Sequence, residues 1–250
     1  MRAKTFRLKR EPDHRYTHAM ELNLSEGTLA VFVDDTGHEA LVEGHPVYGL
    51  GGCAVMAADL DRVIRRPWHE VRRKITGSPD TKLHAASFGR TATPDQIGIV
   101  ADFFRTQPFA RLGAIISVKA TRGGLAPLPI IAGTLKNRII DVAKWTPFRE
   151  VNVVFESSHR ADRQIEDAFG DFNIEENGKP IPLECYFMPK SAGDPALEVA
   201  DFVMHAVGRQ ARRRIEGREG FAPDFAAVFH SVDRKLVTFM EVSKVERNVA

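Results

Sequence analysis

The chain has 250 residues and a mass of 27.8 kDa, which is long for one domain but can be absorbed by a single α/β core that carries insertions. A hydrophobic fraction of 43% and a charged fraction of 27% exclude a mostly disordered chain and a fibre. The formal net charge of +2 excludes a uniformly basic nucleic-acid coat, while local basic patches are compatible with it.

Cysteine content and hydropathy point to the compartment. The two cysteines, Cys53 and Cys185, are too few for a disulfide scaffold. No run approaches the roughly 18 to 20 apolar residues that a membrane span requires, and the basic N-terminus lacks the apolar segment of a signal peptide. We therefore expect a soluble, reduced, cytoplasmic protein with no membrane partner.

The first predicted elements are two strands. Residues 1–24 are polar and basic and are predicted to be an N-terminal arm. Residues 28–33 form an apolar run of strand formers, followed by the turn-type cluster Asp34-Asp35-Thr36-Gly37. A second apolar run, Val47–Met56, contains three glycines, which indicate a bulge or a close backbone approach. The two runs predict an antiparallel pair.

Helices and strands alternate after this pair. Asp59 is placed to cap a helix that Pro67 should kink. Thr93-Pro94-Asp95 and Asp194-Pro195 open two further helices, of which the second runs to about residue 216. The remaining pattern predicts helices at 135–145 and 161–169, strands at 112–118, 151–155 and 183–187, and a terminal hairpin of 226–232 with 236–242. This order predicts one α/β domain, residues 25–250, in which helices flank a mixed sheet and a C-terminal hairpin is added.

The strongest chemical signal is the pair Asp34 and Asp35 at the end of the first strand. A strand that ends in carboxylates places at least one of them at the rim of the sheet, where a cation can approach, and Mg²⁺ favours such oxygen ligands. The alternative is a hairpin turn, because Asp and Gly tolerate turn conformations. Taken alone, the segment favours the turn.

Two later segments carry further acids. Glu156 ends the apolar run 151–155 in the same manner, and alternatively caps the next helix. Asp201 lies among apolar residues on the helix after Asp194, on one stripe with Glu198, His205 and Arg209. Carboxylates in such apolar settings are rarely buried without a partner or a metal, although a solvated helix face is the alternative.

His84 and two groups of arginines complete the candidate residues. His84 could act as a general base or shuttle a proton beside a metal cluster, although a lone histidine is more often structural. Guanidinium groups suit phosphate contacts, while amphipathic helices also carry such faces for solubility. The residues considered for phosphate contact are Arg65, Arg66, Arg72, Arg73, Arg209 and Arg212.

Several motifs resemble one family in the right order. Val33-Asp34-Asp35-Thr36-Gly37, the glycine-bearing strand around Gly51, and Lys190-Ser191 followed by Leu197-Glu198-Val199-Ala200-Asp201-Phe202 are similar to motifs of the bacterial and phage proteins grouped as domain of unknown function 3800. The resemblance spans about residues 28–215 and implies a ribonuclease H-like fold with a divalent-metal site.

Carried over by position, Asp34, Glu156 and Asp201 would bind the metal, and Asp35 or Glu198 would assist. Lys82 stands where an acid is frequent, and Glu198 replaces the usual Gln; the lysine should weaken metal binding, whereas Glu198 could restore an acid if it faces inward.

These observations predict a ribonuclease H-like nuclease that hydrolyses phosphodiesters with Mg²⁺ or Mn²⁺. Asp34, Glu156 and Asp201, with Glu198, would hold the metal, His84 or His159 would manage protons, and the arginines would hold a nucleic-acid partner. A catalytically inactive module that binds nucleic acid or a protein is the second hypothesis, favoured by Lys82. A phosphoesterase acting on small molecules is the third.

Overall fold

A six-stranded mixed sheet forms the centre of the molecule. The structure is a computed structural model that describes residues 24–120, 126–157, 162–170, 174–176, 178–229 and 233–242. Its strands are β1 (Thr28–Gly37), β2 (Val47–Met56), β3 (Ala110–Ser117), β4 (Glu150–Glu156), β5 (Ile174–Glu176), β6 (Lys179–Ile181), β7 (Leu183–Met188) and β8 (Val237–Val242).

The sheet order is β7-β4-β1-β2-β3-β8, and β5 and β6 form a separate antiparallel pair. Strands β1, β2 and β3 are antiparallel neighbours joined in sequence. Strand β4 runs parallel to β1 on its other side, β7 runs parallel to β4, and β8 runs parallel to β3. Because parallel neighbours need long crossover connections, the helices lie between these later strands.

Helices cover both faces of the sheet, which agrees with the predicted α/β class. They are α1 (Arg66–Thr76), α2 (Ala85–Thr91), α3 (Pro94–Thr106), α4 (Pro127–Ala143), α5 (Asp162–Gly170), α6 (Pro195–Ile215) and α7 (Pro223–Phe229). Helices α4 and α5 pack on one face, and α1, α3 and α6 pack on the other. No helix in the described part of the chain is both long and apolar enough to cross a membrane.

The alternation of side chains along β1 decides where its acids point. Leu29, Val31 and Val33 belong to the core under α4, whereas Ala30 and Phe32 belong to the core under α6. Because side chains of a strand alternate between faces, Asp34 lies on the α6 face and Asp35 on the α4 face. The same alternation in β4, where Val154 belongs to the α6 face, places Glu156 on the α6 face as well.

Glycines let α6 lie unusually close to β1 and β2. A Cβ at Gly52 would stand 2.2 Å from Phe32 O and 2.6 Å from Ala200 Cβ, and one at Gly208 would stand 2.1 Å from Thr36 Oγ1. The close backbone approach that the glycines of the second strand predicted is therefore confirmed. It brings the acid-bearing helix against the acid-bearing strand.

Two predicted helix starts are confirmed by their caps. The Thr93 side chain accepts a hydrogen bond from Gln96 N, and the Gln96 side chain accepts one from Thr93 N, which completes a capping box. Asp194 accepts a hydrogen bond from Ala196 N at 2.8 Å. A kink was predicted at Pro67. The structure has one π-helical turn, Asp61–Arg65, before α1, and Pro67 lies in the first turn of α1.

The hairpin-turn interpretation of Asp34-Asp35-Thr36-Gly37 is wrong. These residues continue β1 and pair with β2 from Gly51 to Tyr48. The ladder of backbone hydrogen bonds outweighs the local turn preference of Asp and Gly, so both acids are held on strand positions.

The predicted C-terminal hairpin is also wrong. Pro223–Phe229 is helix α7, in which Phe225, Val228 and Phe229 recur at helical spacing after a proline suited to a first turn. Strand β8 then joins β3 in parallel at the sheet edge. The predicted N-terminal arm lies, apart from residue 24, outside the described residues.

We expect Gly52→Ala to lower the free energy of unfolding by roughly 1 to 3 kcal/mol, because the added methyl group cannot be accommodated between β1 and α6. Urea unfolding measures the effect. Gly133→Ala in α4 is the matched control: its Cβ meets nothing within 4 Å, and it should stabilise by up to about 1 kcal/mol through helix propensity. Equal effects of the two substitutions would contradict the close approach.

Candidate active site

Three of the predicted acids come together on the α6 face. Asp34 lies near the end of β1, Glu156 is the last residue of β4, and Asp201 lies in the second turn of α6. Because β1 and β4 are parallel and Val33 stands opposite Phe155, Asp34 and Glu156 follow at the same edge of the sheet. The charges of Asp201 and Glu156 both act on Asp34 and raise its pKa.

Burial and repulsion dominate the electrostatics of this acidic cluster of Asp34, Glu156 and Asp201. The pKa of Asp34 is raised well above its usual value, first by removal of the carboxyl group from water and then by the charge of Asp201. Burial also raises the pKa of Asp201, although a hydrogen bond from Ala85 N at 2.8 Å and the nearby His84 and His205 oppose the increase. Bringing a cation to this cluster would relieve the repulsion.

A lysine of this chain already contacts the cluster. Lys190 Nζ lies 3.1 Å from Glu156 Oε2. Partial burial of the ammonium group lowers the pKa of Lys190. The negative charges of Glu156, Asp34 and Asp201 outweigh this effect, so the pKa is raised. Within the described ranges, no three His, Cys, Asp or Glu side chains are placed to hold a metal ion together.

Lys82, which stands at a position where an acid was expected, does not neutralise the cluster. Its Nζ donates hydrogen bonds to the carbonyl oxygens of Lys190 and Ser191, at 3.1 and 2.9 Å. The cation that faces the acids is therefore Lys190. In the sequence Lys190 is visible only as part of a motif, and its contact with Glu156 depends on the short 3₁₀ turn that carries it.

Asp35 lies on the other face of the sheet from the cluster, although its charge, after that of Asp201, also raises the pKa of Asp34. Asp35 is exposed and lies on the opposite face of β1 from Asp34. This placement does not favour the predicted role of Asp35 as an assisting catalytic carboxylate, because its side chain points to the face of β1 that is opposite to Asp201.

Glu198 does face inward, but into a different network, a placement that does not favour its predicted role as a metal ligand. Its Oε1 accepts a hydrogen bond from Arg72 Nη2 at 2.7 Å, and its Oε2 accepts from Arg72 Nε at 3.0 Å and Trp68 Nε1 at 2.9 Å. Leu83 N also donates to Oε2, at 3.2 Å. Four hydrogen bonds therefore hold this carboxylate to protein groups, three of them through Oε2.

Two histidines flank Asp201. His84 is exposed and precedes α2, whose first N–H bonds Asp201. His205 lies one turn along α6 and is partly buried, and burial is the main reason why its pKa is lowered. The sequence pattern predicts that His205 lies on the same stripe of the helix as Asp201, but it predicts no role for His205. His159, the other histidine predicted to manage protons, lies outside the described residues.

The predicted phosphate-binding arginines are nearly all engaged with acids of this chain. Arg72 is buried, with 2% of its surface exposed, a placement that does not favour its predicted role as a nucleic-acid contact. Four others form ion pairs: Arg65 with Asp194, Arg66 with Asp61, Arg73 with Glu70, and Arg209 with Asp224. Arg212 is partly buried, and no ion pair with a described residue occupies it. The exposed pairs at Arg66 and Arg73 are weak interactions that a phosphate can replace.

No protein-family model matches the chain, and no curated protein matches it significantly.

We expect Arg72→Met to lower the free energy of unfolding by roughly 3 to 5 kcal/mol, because it leaves the Glu198 charge buried without its partner. The double variant Arg72→Met/Glu198→Gln removes that charge and should recover part of the loss. Urea unfolding of the two variants measures both effects. A single variant within about 1 kcal/mol of the parent would show that Glu198 is not held by this pair.

Proposed function

We propose that the protein is a metal-dependent nuclease with a ribonuclease H-like fold, acting through Asp34, Asp201 and Glu156 with Mg²⁺ or Mn²⁺. The observation that supports the proposal is the electrostatic interaction of three acids that come from β1, from the parallel strand β4 beside it and from the long helix α6. That is the layout of ribonuclease H-like metal nucleases. Membership of the domain of unknown function 3800 family is part of the same proposal.

The donor set suits a hard divalent cation. Mg²⁺ in proteins is usually held by one or two carboxylates together with several waters and substrate phosphates, so Asp34 and Asp201 are a sufficient pair. Glu156 would join them only after leaving Lys190. A bound ion would neutralise the charge that develops on the phosphate as water attacks it.

The side chains around the ion supply positioning and proton transfer. Ala85 N holds the Asp201 carboxylate in place. In hydrolysis a water oxygen bonds to phosphorus, the bond from phosphorus to the leaving oxygen breaks, and that oxygen takes a proton. The His84 imidazole, exposed at the edge of the cluster, is the group best placed to accept the proton of the attacking water. Lys190 can contact a phosphate oxygen.

We expect the purified chain to cleave labelled single-stranded RNA, single-stranded DNA or hybrid in Mg²⁺, and to lose cleavage in EDTA. Asp34→Asn and Asp201→Asn should each reduce the rate below detection, because each removes a charged oxygen ligand. In the same samples Mg²⁺ should raise the melting temperature of the parent and not of either variant, since only the parent binds the ion in its native state.

Asp80→Asn is the matched control, because Asp80 is exposed and lies outside the cluster. It should cleave and respond to Mg²⁺ like the parent. In EDTA, Asp34→Asn should melt no lower than the parent, since it removes a repelled, buried charge; this separates a lost site from a damaged fold. Cleavage that survives both site substitutions would overturn the proposal.

The second candidate function is a non-catalytic module that binds nucleic acid or a protein. The ion pair between Lys190 and Glu156 favours it, because an ammonium group can replace a metal ion in balancing acids.

Lys190→Gln distinguishes the two functions. If the cluster is a metal site, removing the competing cation should tighten Mg²⁺ binding several-fold in calorimetry. If the lysine takes the place of the ion, the variant should melt lower than the parent, and neither protein should bind Mg²⁺. Lys179→Gln, at an exposed position of β6, is the control for the loss of one positive charge.

A further inference from the structure

A small, partly open pocket lies between α2, α3, α6 and α7, beside the acidic cluster. Its volume is about 150 Å³. Its walls are mostly apolar, and its polar residues gather at one end. The side chains that matter below are Phe88, Phe202, Val228, His205, Arg209 and Asp224.

The size of the pocket selects the ligand. An apolar protein cavity of about 150 Å³ holds one benzene molecule, that is, one six-membered ring. Phe88 and Phe202, whose ring centroids are 5.4 Å apart, give the pocket an aromatic wall against which a planar ring can pack. A single planar ring therefore fits within the pocket, whereas a fused double ring would extend out of it.

The polar end of the pocket has an acceptor with remaining capacity. Asp224 Oδ2 lies 3.2 Å from Arg209 Nη1 and 3.9 Å from His205 Nε2, and Arg209 donates a hydrogen bond to it. Asp224 Oδ1 is closed off from solvent, so Oδ2 is the oxygen that a ligand can use. A carboxylate oxygen accepts two hydrogen bonds, and a ligand that donates an N–H to Oδ2 would supply the second.

The pocket is adjacent to the acids that the proposed function uses. Ala85 lines the pocket, and its N–H bonds Asp201. His205 also lines it and follows Asp201 by one turn of α6, a rise of about 5.4 Å. A ligand whose ring sits in the pocket would therefore direct its attached groups towards the cluster.

We propose that this pocket binds the base of a cytosine nucleotide next to the phosphodiester that is cleaved. Cytosine is a single ring, and its exocyclic amine donates hydrogen bonds that a carboxylate such as Asp224 accepts. Uracil presents a carbonyl oxygen at the same position, which Asp224 would repel. The N–H groups of Arg209 suit the acceptor atoms on the rest of the cytosine edge. This inference rests on the proposed function for the role of the base, but not for its binding.

Gly89 keeps the pocket open. A Cβ at Gly89 would stand 3.3 Å from Arg209 Nη1 and 3.5 Å from His205 Nε2, so a larger side chain there would project to the polar end. Gly98, in α3, offers the same substitution where a Cβ meets nothing within 4 Å.

The test is calorimetric binding of free nucleosides to the full chain in EDTA, where no metal contributes. Cytidine should bind at least about tenfold more tightly than uridine, because of the hydrogen bond to Asp224. D-ribose and adenosine should bind more weakly than cytidine, the first because it has no base and the second because its base is too large. Equal binding of cytidine and uridine, or of cytidine and D-ribose, would overturn the proposal.

Two variants locate the site. Gly89→Leu should weaken cytidine binding at least about tenfold by filling the pocket, whereas Gly98→Leu should leave it unchanged; melting curves check that both are folded. Asp224→Asn should narrow the difference between cytidine and uridine, since an amide can accept from one base and donate to the other. Cytidine binding that survives Gly89→Leu would place the base elsewhere. Because metal is absent throughout, failure here would leave metal-dependent cleavage standing, and loss of cleavage would leave base binding standing.

Discussion

The burial of the Glu198 carboxylate is the constraint on which the α6 face depends. A charge inside the core is tolerated only when it is paired and fully hydrogen-bonded, and Arg72, Trp68 and Leu83 N meet that demand. These partners come from α1 and from the segment that leads to α2. The Glu198 carboxylate thus holds α1 and the segment before α2 against α6. The same segment leads to Ala85, whose N–H donates a hydrogen bond to Asp201.

In the acidic cluster, unlike at Glu198, the negative charges exceed the positive charge that faces them. Asp34 and Asp201 are close enough for the charge of Asp201 to raise the pKa of Asp34, and Lys190 compensates them only in part. Two acids one turn apart on α6 therefore have different roles: Glu198 is held by partners of the fold, whereas the pKa of Asp201 stays raised by burial despite its hydrogen bond from Ala85 N. Groups whose pKa is strongly shifted by burial and by a named charge are typical of functional sites, which is why the proposal rests on Asp34 rather than on the arginines.

Much of the fold was predictable, because strong local signals agreed with the tertiary context. The capped starts of α3 and α6 and the apolar runs of β2 and β4 fall in the chain as predicted. The two wrong predictions, the turn and the C-terminal hairpin, have different causes. At Asp34 the turn preference was overridden by the ladder with β2, and in α7 an apolar run was read with the period of a strand although its phenylalanines recur at helical spacing.

The sequence by itself determined which residue types were available: an acid at the end of each of two strands, an acid within an apolar helix, and glycines that permit a close approach. Only the tertiary structure decided which of them meet. Side-chain alternation sends Asp34 and Asp35 to opposite faces, and a partner distant in sequence, Arg72, takes Glu198 away from the cluster. The contact of Lys190 with Glu156 and the pocket that Asp224 lines depend on packing between elements distant in sequence, and no local pattern in a chain encodes such contacts.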